Sequence, residues 1–355
     1  MSVRILPDRR SFLWLNGFAG ISVGFVNMKT ILVLIVIYLL YCEGAVKLRQ
    51  DDQLNNRPII GVLSQEQSLF LREKYPEENY TSYIATSYVK DVEASGARVV
   101  PILIGKDRDY YEELMKKING VLFPGGATYF NNSDGYADAG QHIYEIAQQM
   151  NDRGDYFPIF GTCLGFELLI ILASGRSEVE NRNRCYSYQN LPLRFTTDYR
   201  DSKMFSAAPL DILVILATLD VTVNSHQFCI VDDNLKSHGL DDDWLVTSHS
   251  DDQDGLEFIA SIEHKRYPIY GVQFHPEKSF EWKLSKNYPH SAESIKANRY
   301  FMDFFVSECR KSGHSFNNAA EENEYLIYNY IPHFTGLLGS AYHQCYMLEP
   351  KGVRN

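Results

Sequence analysis

Short apolar runs recur along the chain at Pro58–Leu63, Arg98–Leu103, Gly120–Phe123, Phe157–Phe160, Phe258–Ile262 and Ile269–Phe274, and most are continuous rather than alternating. Strands of that kind are buried on both faces, as in a parallel sheet covered by helices. Between the first two runs, Ile84, Tyr88 and Val92 recur at helical spacing and Gly96 supplies a stop, which predicts a βαβ unit. Ser291–Lys311 predicts a late amphipathic helix, and the aromatic-rich tail from Tyr325 to Tyr346 is expected to pack back onto the domain. No internal repeat or low-complexity segment interrupts the pattern. The expected fold is an α/β, three-layer α/β/α sandwich with a mostly parallel central sheet, occupying 45–355 as one domain.

The first 44 residues read differently. From Met28 the chain runs Met-Lys-Thr into a twelve-residue apolar stretch, Ile31–Cys42, and then Glu43, Gly44 and Ala45. A positive start, an apolar core too short to span ~30 Å of hydrocarbon and small residues near Gly44 predict an N-terminal extension and cleavable signal peptide over 1–44. The choice between Met1 and Met28 as start leaves this intact, because Arg4, Arg9, Arg10 and Lys29 keep the leading segment positive. The expected location is the secretory pathway, ending in the lysosome, the extracellular space or both. Asn79-Tyr80-Thr81 and Asn131-Asn132-Ser133 are glycosylation acceptors consistent with that route.

Candidate chemistry centres on Cys163, in Gly161-Thr162-Cys163-Leu164-Gly165, where an apolar run meets the helix-like run Phe166–Ala173. This is the pattern of a nucleophile elbow, with glycines at 161 and 165 that let strand and helix backbones approach. A helix N-terminus and a nearby imidazolium can lower a cysteine pKa from ~8.5 to between ~3.5 and 7.5. Taken alone, a cysteine in an apolar stretch is as often core filling. Downstream, Tyr267-Pro-Ile-Tyr-Gly-Val-Gln-Phe-His-Pro-Glu-Lys ends a strand pattern in a turn that offers His275 as acid and base and Glu277 as its orienting partner. Pro276 between them restricts their relative freedom. The Pro124-Gly125-Gly126 turn follows another apolar run, and N–H groups from Gly125 and Gly126 together with that of Leu164 would form an oxyanion hole.

These motifs, in this order, resemble the class I glutamine amidotransferase-like superfamily with its Cys-His-Glu triad, and within it the gamma-glutamyl hydrolase family. Further matching segments are Arg57-Pro-Ile-Ile-Gly-Val-Leu, Tyr83-Ile-Ala-Thr-Ser-Tyr-Val-Lys, Gly96-Ala-Arg-Val-Val-Pro, Ile118-Asn-Gly-Val-Leu-Phe-Pro-Gly-Gly and Gln344-Cys-Tyr. The resemblance spans about 57 to about 348, and the residues before Met28 have no counterpart in it. It implies Cys163 as nucleophile, His275 as acid and base, Glu277 as orienting carboxylate and His226 as a second histidine near the substrate. The family commonly has an aromatic residue where Ser225 stands and tryptophan where Phe274 stands. The implied reaction is cleavage of γ-glutamyl amide bonds in folate or antifolate poly-γ-glutamates through a Cys163 thioester. The alternative is a glutaminase or amidotransferase-type module that releases ammonia from glutamine, since both substrates are amides of a glutamate γ-carboxyl. A catalytically silent binding protein is a third class, and would require a broken triad.

Composition narrows the partners. A net charge of −11 argues against nucleic acid and against an acidic membrane surface, and no stable membrane anchor is expected once the signal is removed. The same charge opposes a polyanionic substrate at long range, so a local basic groove is required. Arg57, Lys90, Arg98, Lys278 and Lys283 are candidates for it, none assigned as a ligand. No metal-ligand spacing and no phosphate-binding glycine loop occur, so no metal or cofactor is expected. A homodimer is carried as an open option. If cleavage removes Cys42, then Cys185, Cys229, Cys309 and Cys345 remain beside Cys163 and could pair in three ways.

Overall fold

The computed structural model describes residues 54–76, 79–175, 182–283 and 285–349. They belong to one compact unit, Leu54–Asn355. The expected extension and signal peptide at 1–44, with Cys42, lie outside the described residues.

Eight strands form the central sheet: β1 (Ile59–Leu63), β2 (Arg98–Ile102), β3 (Gly120–Phe123), β4 (Ile159–Thr162), β5 (Arg194–Phe195), β6 (Trp244–Asp251), β7 (Glu257–His264) and β8 (Ile269–Val272). Their order in space is β2-β1-β3-β4-β8-β7-β6-β5. The first five are mutually parallel, and β7, β6 and β5 extend the sheet antiparallel. The sheet is therefore mostly parallel, as its continuous apolar runs predict. The run at 258–262 departs from that expectation: β7 is antiparallel and longer, though still buried through seven of its eight residues because its side chains enter the cores on both faces of the sheet.

Helices flank the sheet on both faces. The helices α2 (Arg108–Met115), α3 (Tyr136–Asp152) and α4 (Leu164–Ala173) pack on one face, with Tyr111, Leu114, Ile143 and Leu168 in a common core. The helices α1 (Thr86–Ala94), α5 (Leu210–Thr218) and α6 (Ala292–Cys309) pack on the other, through Tyr88, Val92, Leu216, Phe301 and Phe305. This gives the three layers. The start of α6 is fixed by Ser291, whose hydroxyl accepts from the Ser294 N–H, the side-chain cap that satisfies an otherwise orphaned donor.

The βαβ unit forms as expected, but Ile84 does not sit on its helix. Ser82–Ala85 is a strand paired antiparallel with Cys345–Leu348, so the helix begins only at Thr86. Pairing with a segment at the far end of the chain overrides the local helical spacing. The aromatic tail thus returns to the domain, and the Thr86 N–H donates to Gln344 O at 2.9 Å. Cysteine pairing resolves to Cys185–Cys229, which joins the paired strands Asn183–Ser187 and His226–Cys229. Cys309 and Cys345 are free and buried.

Candidate active site

The site lies at the carboxyl ends of β3, β4 and β8, where open α/β sheets hold their ligands. Cys163 sits between β4 and α4 with φ 49° and ψ −110°, a left-handed conformation that costs a non-glycine residue of order 1–3 kcal/mol. That strain is stored where the chain turns from strand to helix. Gly165 is obligatory at the turn, since a Cβ there would stand 2.0 Å from the Phe123 carbonyl oxygen. Gly161 faces it across the turn, with a Cβ position 2.7 Å from Gly165 O.

His275 follows β8. Its Nδ1–H donates to Glu277 Oε1 at 2.8 Å, which leaves Nε2 free for base chemistry. Both residues are buried. The imidazole and the thiol meet over the Pro124–Gly126 turn: a Cβ on Gly125 would lie 2.8 Å from His275 Cε1 and 3.1 Å from Cys163 Cβ. Only glycine fits between them.

The candidate oxyanion donors differ from one another. The Gly125 N–H is already engaged, donating to the Tyr88 hydroxyl at 2.8 Å. Among the described residues, Gly126 N–H donates to no partner. Its own neighbour is Gln65, whose amide donates to Pro124 O at 3.0 Å and braces the turn. The Leu164 N–H, at the start of α4, favours the ionised form of the Cys163 thiol.

Electrostatics hold the resting thiol protonated. Burial pushes the Cys163 thiol well above its usual range, and the Glu167 and Glu277 carboxylates add to this, against the opposing pull of the Leu164 N–H and the Lys278 ammonium. The helix N-terminus at Leu164 therefore lowers the cysteine less than burial raises it, contrary to the lowered value that the elbow's position suggests. Glu277 goes the other way. Burial works to raise it, but the His275 contact and the Lys278 ammonium outweigh that and keep it below the usual carboxylate range.

A match to the Peptidase C26 family model covers residues 58–277, from the first strand of the sheet through Glu277. The chain belongs to the Peptidase C26 family. Three curated relatives named gamma-glutamyl hydrolase extend the likeness. The Homo sapiens protein is 38% identical over 326 residues, 89% of this chain and 98% of its own. The Bos taurus protein is 40% identical over 298 residues, 82% of this chain and 90% of its own. Gamma-glutamyl hydrolase B of Dictyostelium discoideum is 37% identical over 290 residues, 81% of this chain and 82% of its own. The chain is a cysteine-type hydrolase.

His226, the candidate second histidine, is buried and close enough to His275 to feel its charge. It is buried edge-on to Phe258, its Nδ1 lies 3.3 Å from Cys185 O, and among the described residues its Nε2 has no hydrogen-bond partner. Burial and the nearby His275 lower its pKa to about 4, so it is neutral across the physiological range. Arg57, Lys90 and Arg98 take structural partners away from the triad: Arg57 and Arg98 pair with Glu322, and Lys90 donates to Gln344 Oε1. Lys283 donates to the Ser340 carbonyl. Of the five basic candidates, Lys278 is the one beside the His275–Glu277 pair.

Sequence reasoning left out several neighbours. Glu167, on α4, is buried and ion-paired with Arg182 at 2.9 Å, while Gln273 Nε2 donates to its other oxygen at 3.0 Å and lies 3.8 Å from the Cys163 sulfur. A carboxylate inside the apolar run Leu164–Ala173 was the available signal, because a buried charge requires partners. Tyr88, whose hydroxyl bridges Gly125 N–H and His275 Nδ1 (3.4 Å), carried no such signal, since an aromatic on a helix reads as core.

Proposed function

We propose that this protein hydrolyses γ-glutamyl amide bonds, with poly-γ-glutamates of folate or antifolates as substrates and Cys163, His275 and Glu277 as the triad. The single observation that carries the reading is Cys163 on a strained strand-to-helix turn, packed through Gly125 against a His275 that is itself held by Glu277. Because the thiol rests protonated, the thiolate forms during attack. Cys163 Sγ bonds to the γ-carbonyl carbon as its proton passes to His275 Nε2, and the carbonyl oxygen becomes an oxyanion facing the Gly126 and Leu164 N–H groups. Collapse breaks the C–N bond, and His275 returns that proton to the leaving amine. Water then attacks the γ-glutamyl thioester, giving its proton to His275, and the C–S bond breaks to release the γ-carboxylate and regenerate the thiol. Ionised Glu277 stabilises each imidazolium formed on the way.

The glutaminase alternative receives no comparable support from the relatives, all gamma-glutamyl hydrolases by name. We assign the protein to the secretory pathway, lysosomal or extracellular, on the strength of the 1–44 leader pattern and the acceptors Asn79 and Asn131, both exposed. The test incubates purified protein, wild type beside Cys163→Ala, with a folate carrying several γ-linked glutamates and, separately, with glutamine. Shortened folates that disappear in the variant are expected by mass spectrometry. Ammonia from glutamine with intact folate would move the assignment to the amidotransferase class, and no product from either would favour a binding protein.

A further inference from the structure

One charged group at the site has no use in the steps above. Lys278 is 4% exposed, on the short turn Pro276–Phe280 that directly follows His275. Its nearest anion is Glu277 Oε1 at 3.7 Å, beyond hydrogen-bond distance, and that oxygen is already committed to His275. Among the described residues, Lys278 Nζ donates no hydrogen bond. Two rings flank the ammonium, Tyr342 with its centroid at 4.5 Å and Tyr288 at 5.6 Å. Tyr342 also faces the reacting centre, its hydroxyl 3.5 Å from Gly125 O.

An ammonium held beside the reacting centre, with no hydrogen-bond acceptor among the described residues and its nearest carboxylate oxygen already committed to His275, is positioned to take a further anion. Its neighbours keep it charged: burial works to lower its pKa, and Glu277, Tyr288 and Glu281 more than offset this. The anion it awaits can be placed from the reaction. His275 must stand on the side of the leaving nitrogen to protonate it, and the Lys278 N–H donates to His275 O at 3.2 Å, so the ammonium belongs to the same turn. In a γ-linked chain the carbon attached to the leaving nitrogen bears a free α-carboxylate, two bonds away. We propose that Lys278, walled by Tyr342 and Tyr288, binds the α-carboxylate of the leaving glutamate and so selects a glutamate rather than a neutral amine as leaving group. This rests on the γ-glutamyl reading and adds its leaving-side specificity. It also answers the charge problem of an acidic protein acting on a polyanion. Exposed charges are screened beyond ~10 Å at 0.1 M salt, whereas a buried cation at contact distance is screened far less.

The experiment compares three γ-glutamyl substrates: one with glutamate as leaving residue, one with its α-carboxylate converted to carboxamide, and a γ-glutamyl anilide. Wild type is expected to prefer the free carboxylate over the carboxamide by about 30-fold or more in kcat/KM, carried mainly by KM. Lys278→Met is expected to reduce that ratio to below about threefold. Equal losses on both substrates, with the ratio unchanged, would overturn the proposal and leave Lys278 as a partner of Glu277 alone. A wild-type ratio near one would overturn it without any variant, so a Lys278→Met chain that fails to fold does not protect it. Cleavage of none of the three, anilide included, would instead sink the γ-glutamyl reading itself.

Discussion

His275 Nδ1 stands 2.8 Å from Glu277 Oε1 with Pro276 alone between them in the chain, so the base and its orienting carboxylate are fixed on one turn. Glu277→Gln keeps the size and one acceptor but removes the charge that stabilises the imidazolium. It is expected to lower kcat by about 10²–10⁴-fold with a small change in KM, measured by steady-state kinetics.

Cys163 sets a second expectation, in which activity and stability move apart. Both Cys163→Ala and Cys163→Gly are expected to lose turnover completely. Glycine tolerates φ 49° and alanine does not, so Cys163→Gly should unfold at higher denaturant than Cys163→Ala, by about 1 kcal/mol. Urea unfolding of the two inactive variants reads the difference.

Asp91 is buried on α1 with one carboxyl oxygen lacking a partner, and burial, then the nearby Glu277, raise its pKa well above the usual value. The folded state therefore holds this proton at pH values where the unfolded chain has released it, and Asp91 costs stability increasingly as pH rises above about 4. Asp91→Asn is expected to stabilise the fold at pH 7 by about 1 kcal/mol or more, with the gain shrinking towards zero as pH falls to about 4. Chemical denaturation of both chains at pH 7 and pH 4 tests the sign and the window.

The Cys185–Cys229 bridge closes a sequence separation of 44 residues. By loop-closure entropy, its loss is worth about 4 kcal/mol. Cys185→Ser with Cys229→Ser is expected to lower the thermal midpoint markedly, and treatment of the parent with a reductant should reproduce the shift. Because His226 lies on the bridged strand, activity should fall along with stability.

How legible these features were in the sequence depended on whether their cause was local. The elbow at Cys163, the glycines that flank it and the His275–Glu277 turn follow from residues within a few positions of one another. The buried parallel strands follow from continuous apolar runs. Three things were not legible for a shared reason. The strand Trp244–Asp251 carries Thr247, Ser248, His249 and Ser250, and its place depends on Glu257–His264 beside it. The run beginning at Tyr83 has helical spacing, but the partner for Ser82–Ala85 lies some 260 residues away in the register Cys345↔Ala85. Lys278 was visible as a charge, while its burial against Tyr288 and Tyr342 arises only when separate segments converge.

That convergence also sets an order in time. Translation delivers Cys163, His275 and Glu277 well before Tyr342, which leads into the segment Cys345–Leu348, and that segment must find a strand that left the ribosome near the start of the domain. A nascent chain halted after Lys311 would carry every member of the triad and still lack one wall of the site. Competence is thus withheld until the last stretch of polypeptide has been threaded home.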